Sequence, residues 1–124
     1  MLKLWLFLGC SLAGLGVVAG AFGAHALKQR LSPDLLAVFE TGVRYQMYHA
    51  FGLLALALIL DRWPGWNVNL AGWLFLTGII LFSGSLYALC LTGTRAWGAI
   101  TPLGGLCFIA AWAQLAWTAF KSQN

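Results

Sequence analysis

Three stretches of this chain carry no charged residue over at least the thickness of a membrane: Leu4 to Ala24, Trp63 to Thr94 and Ala96 to Phe120. A helix needs roughly 20 apolar residues, at about 1.5 Å each, to cross the hydrocarbon of a bilayer. Each stretch is therefore long enough for a complete crossing. A fourth stretch, Tyr45 to Leu60, is shorter and contains Gln46 and His49. A full crossing there has to begin near Thr41 and keep Arg44 at its edge, where a long basic side chain snorkels toward water. The expected fold is an all-α, four-span transmembrane antiparallel bundle, up-down-up-down, with spans at about 4–25, 41–60, 70–91 and 101–120. With 61% hydrophobic and 8% charged residues in a chain of 124, residues 1–124 form one integral membrane domain with little outside the lipid.

That solvent excludes several function classes. The net charge of +4 is spread singly between hydrophobic spans, without the stripe or patch that nucleic acid requires, so no nucleic-acid partner is expected. Cys10, Cys90 and Cys107 fall inside spans without CxxC or Cys/His spacing and read as small apolar packing residues. Ala24-His25-Ala26 has the form of a signal-peptide cleavage site. The apolar run before it exceeds the usual core of ~7–15 residues, so the segment reads as a retained span.

The first span is rich in small residues. Gly16 and Gly20 lie four apart and share a face, with Gly23 following, and such faces let helix backbones approach where lipid supplies no hydrophobic drive. Gly84, Gly104 and Gly105 are expected to serve helix packing in the same way. Between the first two spans, Ser32-Pro33-Asp34 reads as a helix start: a capping hydroxyl, a proline in the first turn and an acid at the positive end of the dipole. The apolar Leu35, Leu36, Val38 and Phe39 after it predict either a short interfacial helix or one continuous with the second span, with Gly42 as a bend. Asp61 to Trp66 is a turn, and Thr101-Pro102 repeats the cap-and-proline signal before the last span.

With four spans both termini share a side. It carries Lys3, Arg62 and Lys121 against Lys28, Arg30, Arg44 and Arg95 on the other. The count nearly balances, and leans to cytoplasmic termini when Arg44 and the acid-flanked connector are set aside. Trp5, Trp63, Trp66, Trp73 and Trp117 all map to the terminus side as an aromatic belt. The polar residues collect opposite: His25, Glu40, Arg44, Tyr45, Gln46, His49, Ser83, Ser85, Tyr87 and Thr101 are expected to form a cluster in that leaflet. Glu40 and Arg44 stand four apart, acid before base, the favourable order for a helical ion pair. Ionisable groups in a bilayer point either to function or to interhelical hydrogen bonding.

Four blocks in order, Gly20 to Leu27, Thr41 to His49, Leu81 to Tyr87 and Thr101 to Gly105, resemble the signature of domain-of-unknown-function family 423. The resemblance covers nearly the whole chain. It implies a small four-span protein of the bacterial inner membrane, multi-pass, with cytoplasmic termini, and it carries no activity over.

Two functional readings follow, and a third is weaker. The first is a structural or interaction component of a membrane assembly, in contact with membrane lipid and associating with itself or with a larger membrane complex. The second is an oligomeric transporter or channel component for a small solute, an anion or a proton, in which His25, Arg44, Tyr45 and His49 line a polar vestibule. Enzymology has little support, because Ser83 and Ser85 lie in Phe82-Ser83-Gly84-Ser85-Leu86 without a nucleophile elbow. No cofactor or metal motif is read.

Overall fold

A computed structural model describes residues 1–122. Five α-helices, linked by short 3₁₀ and π turns, make the four spans: α1 (Leu2–His25), α2 (Pro33–Arg62), α3 (Asn69–Gly78), α4 (Gly84–Thr92) and α5 (Thr101–Lys121). The third span is α3 and α4 joined by a π-helical turn at Ile79–Ser83, so that one rod runs Asn69–Thr92.

The connector before the second span is helical and continuous with it. The Ser32 hydroxyl accepts from the Leu35 amide at 3.3 Å, and Pro33 occupies the first helical position, where its missing N–H costs nothing. From there α2 runs unbroken for 30 residues, about 45 Å, longer than the roughly 30 Å of hydrocarbon. Its start at Pro33 replaces the boundary near Thr41. Phe39 explains why no separate interfacial helix forms, because it is buried and lies against Gly23 and the ring of Tyr87 rather than on a membrane surface. Gly42 is no hinge between elements; it lies within the helix and makes room for Tyr87.

The pairings between spans give the topology. Along α1 and α2, Gly9 meets Leu54, Gly16 meets Met47 and Gly23 meets Phe39, so the partner number falls as the residue number rises. The same reversal pairs Gly42 with Tyr87 and Gly52 with Phe75 between the second and third spans. Between the third and fourth, Ala71 meets Gln114, Gly78 meets Phe108, Phe82 meets Gly104 and Ser85 meets Thr101. Every consecutive pair is antiparallel, which makes the bundle up-down-up-down.

The α1 face that packs on α2 is set by Gly9, Gly16 and Gly23, all buried, whereas Gly20 makes a looser contact with Val43. Seven-residue spacing, rather than four, carries this interface. Gly104 lets the backbone at Phe82 approach directly, whereas a Cβ added at Gly105 would stand 3.9 Å from that ring, an ordinary van der Waals contact. Gly84 is exposed and has nothing within 4 Å of where a Cβ would stand, so it serves no packing inside the bundle. Gly42, Gly52, Gly72 and Gly78 do, each filled by a large side chain from a neighbouring span.

Trp5 also departs from expectation. It is fully buried, not part of a belt, because the missing side chain of Gly72 leaves room for its indole. Its Nε1–H donates to Asn69 Oδ1 at 2.9 Å, satisfying the one polar atom of the ring. Trp63, Trp73 and Trp117 remain on the surface at that end. Around Trp5 the main core gathers Leu53, Leu56, Val68, Ala71, Phe75, Ile79 and Phe108. Gly93, at φ 70°, ends α4 in the left-handed conformation that suits glycine.

Candidate functional site

Gln46 ties three spans together at one point. Its Nε2 donates to the Leu12 carbonyl of α1 at 2.8 Å, and its Oε1 accepts from the Tyr87 hydroxyl of α4 at 2.7 Å. Leu12 lies midway along α1, so this junction stands near the middle of the bundle rather than at the far leaflet. Two residues of the π turn and the helix after it continue the network outward. Ser83, fully buried, donates to the Gly42 carbonyl at 2.6 Å. Ser85 and Thr101 share a hydrogen bond at 2.6 Å that joins α4 to the start of α5. The hydroxyl of Thr101 is thus spent on Ser85 and makes no helix cap; only the proline half of that start signal operates. Among the described residues no buried side-chain nitrogen or oxygen lacks a partner, so this is a satisfied network of the kind that fixes helix register.

His49 and Tyr45 face elsewhere. His49 is buried at 5% exposure, and its ring lies flat on Phe108, with centroids 3.4 Å apart and planes within 2°. The Tyr45 carbonyl, one turn earlier, is 2.7 Å from Nδ1. A carbonyl only accepts, so Nδ1 bears the proton, and in the neutral ring Nε2 carries the lone pair. Both residues border a cleft of about 590 Å³ between α2 and α5, together with Tyr48, Phe82, Gly105, Phe108, Ile109 and Trp112.

The charged members of the expected cluster stay apart from it. His25, Glu40 and Arg44 are exposed, and among the described residues Glu40 and Arg44 form no ion pair. Their i,i+4 spacing allows a pair but does not compel one on a helix surface. The ten residues therefore divide three ways. Gln46, Ser83, Ser85, Tyr87 and Thr101 make the interhelical network, Tyr45 and His49 line the cleft, and His25, Glu40 and Arg44 lie outside both.

Reasoning from sequence missed a second polar tie at the terminus side. Gln114 accepts from the Ala71 amide at 3.0 Å and donates to the Asn67 carbonyl and the Thr118 hydroxyl. It satisfies backbone groups left free where the loop enters α3. The signal was an amide in the middle of an uncharged span. Of the cysteines, Cys90 is buried with its thiol 3.2 Å from the Leu35 carbonyl, whereas Cys10 is exposed on α1 and so does not pack within the bundle. Among the described residues no group of three His, Cys, Asp or Glu side chains gathers to hold a metal ion.

Comparison with known proteins matches the family described as "Protein of unknown function (DUF423)" over residues 19–105, a range that takes in all four sequence blocks. A UPF0382 membrane protein of Staphylococcus haemolyticus is 48% identical over 97% of this chain and 98% of the relative. One from Staphylococcus saprophyticus is also 48% identical, over 97% and 99%. The UPF0382 membrane protein YwdK of Bacillus subtilis is 47% identical over 97% and 98%. No solved structure matches.

Proposed function

The chain belongs to the DUF423 family of membrane proteins, and from that premise we propose that it acts by contact, as a rigid structural component of an assembly in the bacterial inner membrane. The observation that carries this reading is the network centred on Gln46. Gln46, Ser83, Ser85, Tyr87 and Thr101 are engaged in bonds that lock one span to the next, the arrangement expected of a scaffold rather than of a permeation path. The exposed His25, Glu40 and Arg44 do not join Tyr45 and His49 in a polar vestibule, so the transport reading lacks the convergence it requires. The glycine face of α1 is occupied by α2. Association therefore uses the outer faces of α1 and α5, where Phe7, Leu15, Val17, Val18, Leu106 and Ile109 stand exposed.

On the same reading we infer that the termini lie in the cytoplasm. Arg44 is carried within α2, and Lys28 and Arg30 are followed by the acids Asp34 and Glu40 of that same helix. Arg95 is then weighed against Lys3, Arg62 and Lys121, which favours the terminus side as the positive, inner one.

Affinity capture of the intact tagged protein from its native membrane in a mild detergent tests the reading. The expected result is a stoichiometric companion, either another membrane protein or a second copy. Recovery of a lone monomer with no companion at any detergent strength would overturn it.

A further inference from the structure

The cleft beside His49 has a composition that a purely structural bundle does not need. Its walls are chiefly aromatic, from Tyr45, Tyr48, Phe82, Phe108 and Trp112, and its volume of about 590 Å³ lies inside the range of sites for small organic molecules. Tyr48, Ile109 and Trp112 at its edge are 53%, 68% and 45% exposed. The mouth thus opens on the outer surface of the bundle, halfway along α2 and α5. At that depth the surroundings are hydrocarbon, so whatever enters comes from the lipid and is itself lipid-soluble.

Beside the hydroxyl-bearing rings of Tyr45 and Tyr48, the lining includes the imidazole of His49. His49 Nδ1 is engaged by the Tyr45 carbonyl, and Nε2 has no hydrogen-bond partner among the described residues. No buried side-chain nitrogen or oxygen there is left unpaired, so Nε2 is not sealed and opens on the cleft that His49 lines. Among the described residues no carboxylate borders the cleft. A positive imidazole would stand in hydrocarbon without a counter-ion, a costly arrangement. The ring therefore offers a lone pair, and the ligand has to bring the proton.

The geometry points to a binding site for a lipid-soluble molecule whose flat ring bears a hydroxyl, a phenol or hydroquinone head on an apolar tail. The hydroxyl donates to His49 Nε2, the ring lies among Tyr45, Phe82 and Trp112, and the tail leaves between Tyr48 and Ile109 into the lipid. Two features select this class over a plain acyl chain. The aromatic walls favour stacking with another ring, and His49 Nε2, which accepts without being able to donate, rewards a ligand that carries a donor. An oxidised quinone, which only accepts, gains nothing from that atom.

Equilibrium binding to the whole protein in lipid nanodiscs tests the site, with a decyl-substituted hydroquinone as the probe and its dimethyl ether and its quinone as controls. The hydroquinone is expected to bind saturably at one site, about tenfold more tightly than the ether or the quinone, as one hydrogen bond warrants. His49→Phe keeps a ring on Phe108 but removes the acceptor, and is expected to lower hydroquinone binding to the level of the ether while leaving the ether unchanged. Ile109→Trp, at an exposed position outside the core, narrows the mouth and is expected to weaken all three probes. Equal binding of hydroquinone and ether by the unaltered protein would overturn the proposal, as would the absence of saturable binding. Undiminished preference for the hydroquinone in a folded His49→Phe variant would overturn it as well.

Discussion

At the scale of single residues, side-chain amides and hydroxyls hold this bundle in register. In lipid a helix pair gains little from hydrophobicity, so an interhelical hydrogen bond weighs more against the alternatives for that side chain. Gln46 makes two such bonds at once, to Leu12 and to Tyr87. A double-mutant cycle of Gln46→Ala and Tyr87→Phe, read from unfolding in mixed micelles, is expected to show coupling of about 0.5–1.5 kcal/mol. Additive losses would mean that the Gln46–Tyr87 bond contributes nothing. Polarity and depth along the spans put Gln46 and Tyr87 in one cluster, but do not say that Glu40 and Arg44 lie outside it. Spacing along a helix fixes which residues share a face, and the exposure of that face depends on the neighbouring spans.

At the scale of elements, small residues decide how closely the rods approach. Gly84 and Gly104 look alike in the sequence, each beside a serine or a glycine in an apolar span, and the structure separates them. A Cβ at Gly104 would press on the backbone of Phe82, which cannot swing away, whereas a Cβ at Gly84 meets nothing. Gly104→Ala is accordingly expected to destabilise by about 1–3 kcal/mol, and Gly84→Ala to be neutral or to stabilise by up to ~1 kcal/mol through helix propensity. Thermal unfolding of the two purified variants side by side checks the contrast. The spans themselves were legible, because length and absence of charge are local properties. The continuity of α2 is not a local property, since Phe39 turns to the bundle rather than the membrane surface through contacts with other elements, Gly23 and Tyr87 among them. The π turn at Ile79–Ser83 had no local signal at all. It accompanies the tertiary demand that Ser83 reach the Gly42 carbonyl.

At the scale of the whole molecule, one framework supports two kinds of surface. The interhelical network and the glycine contacts hold the bundle together, and the outer faces of α1 and α5 stay exposed, the surfaces that the proposed association would use. Trp5 shows how far the sequence could mislead here. Its position near the terminus suggested an anchor in the interface, yet the gap at Gly72 draws it into the core. The antiparallel order of four membrane-crossing rods is the premise on which the network, the cleft and the placement of the termini all depend. Labelling with a membrane-impermeant maleimide tests it most directly, in intact cells and in opened membranes. Single cysteines are placed at the exposed positions Lys3, Lys28, Arg62, Arg95 and Ser122 after Cys10, Cys90 and Cys107 are replaced. The account predicts that 28 and 95 react from outside, and that 3, 62 and 122 react only once the inner face is opened. Reaction of 3 and 28 from the same side would contradict it.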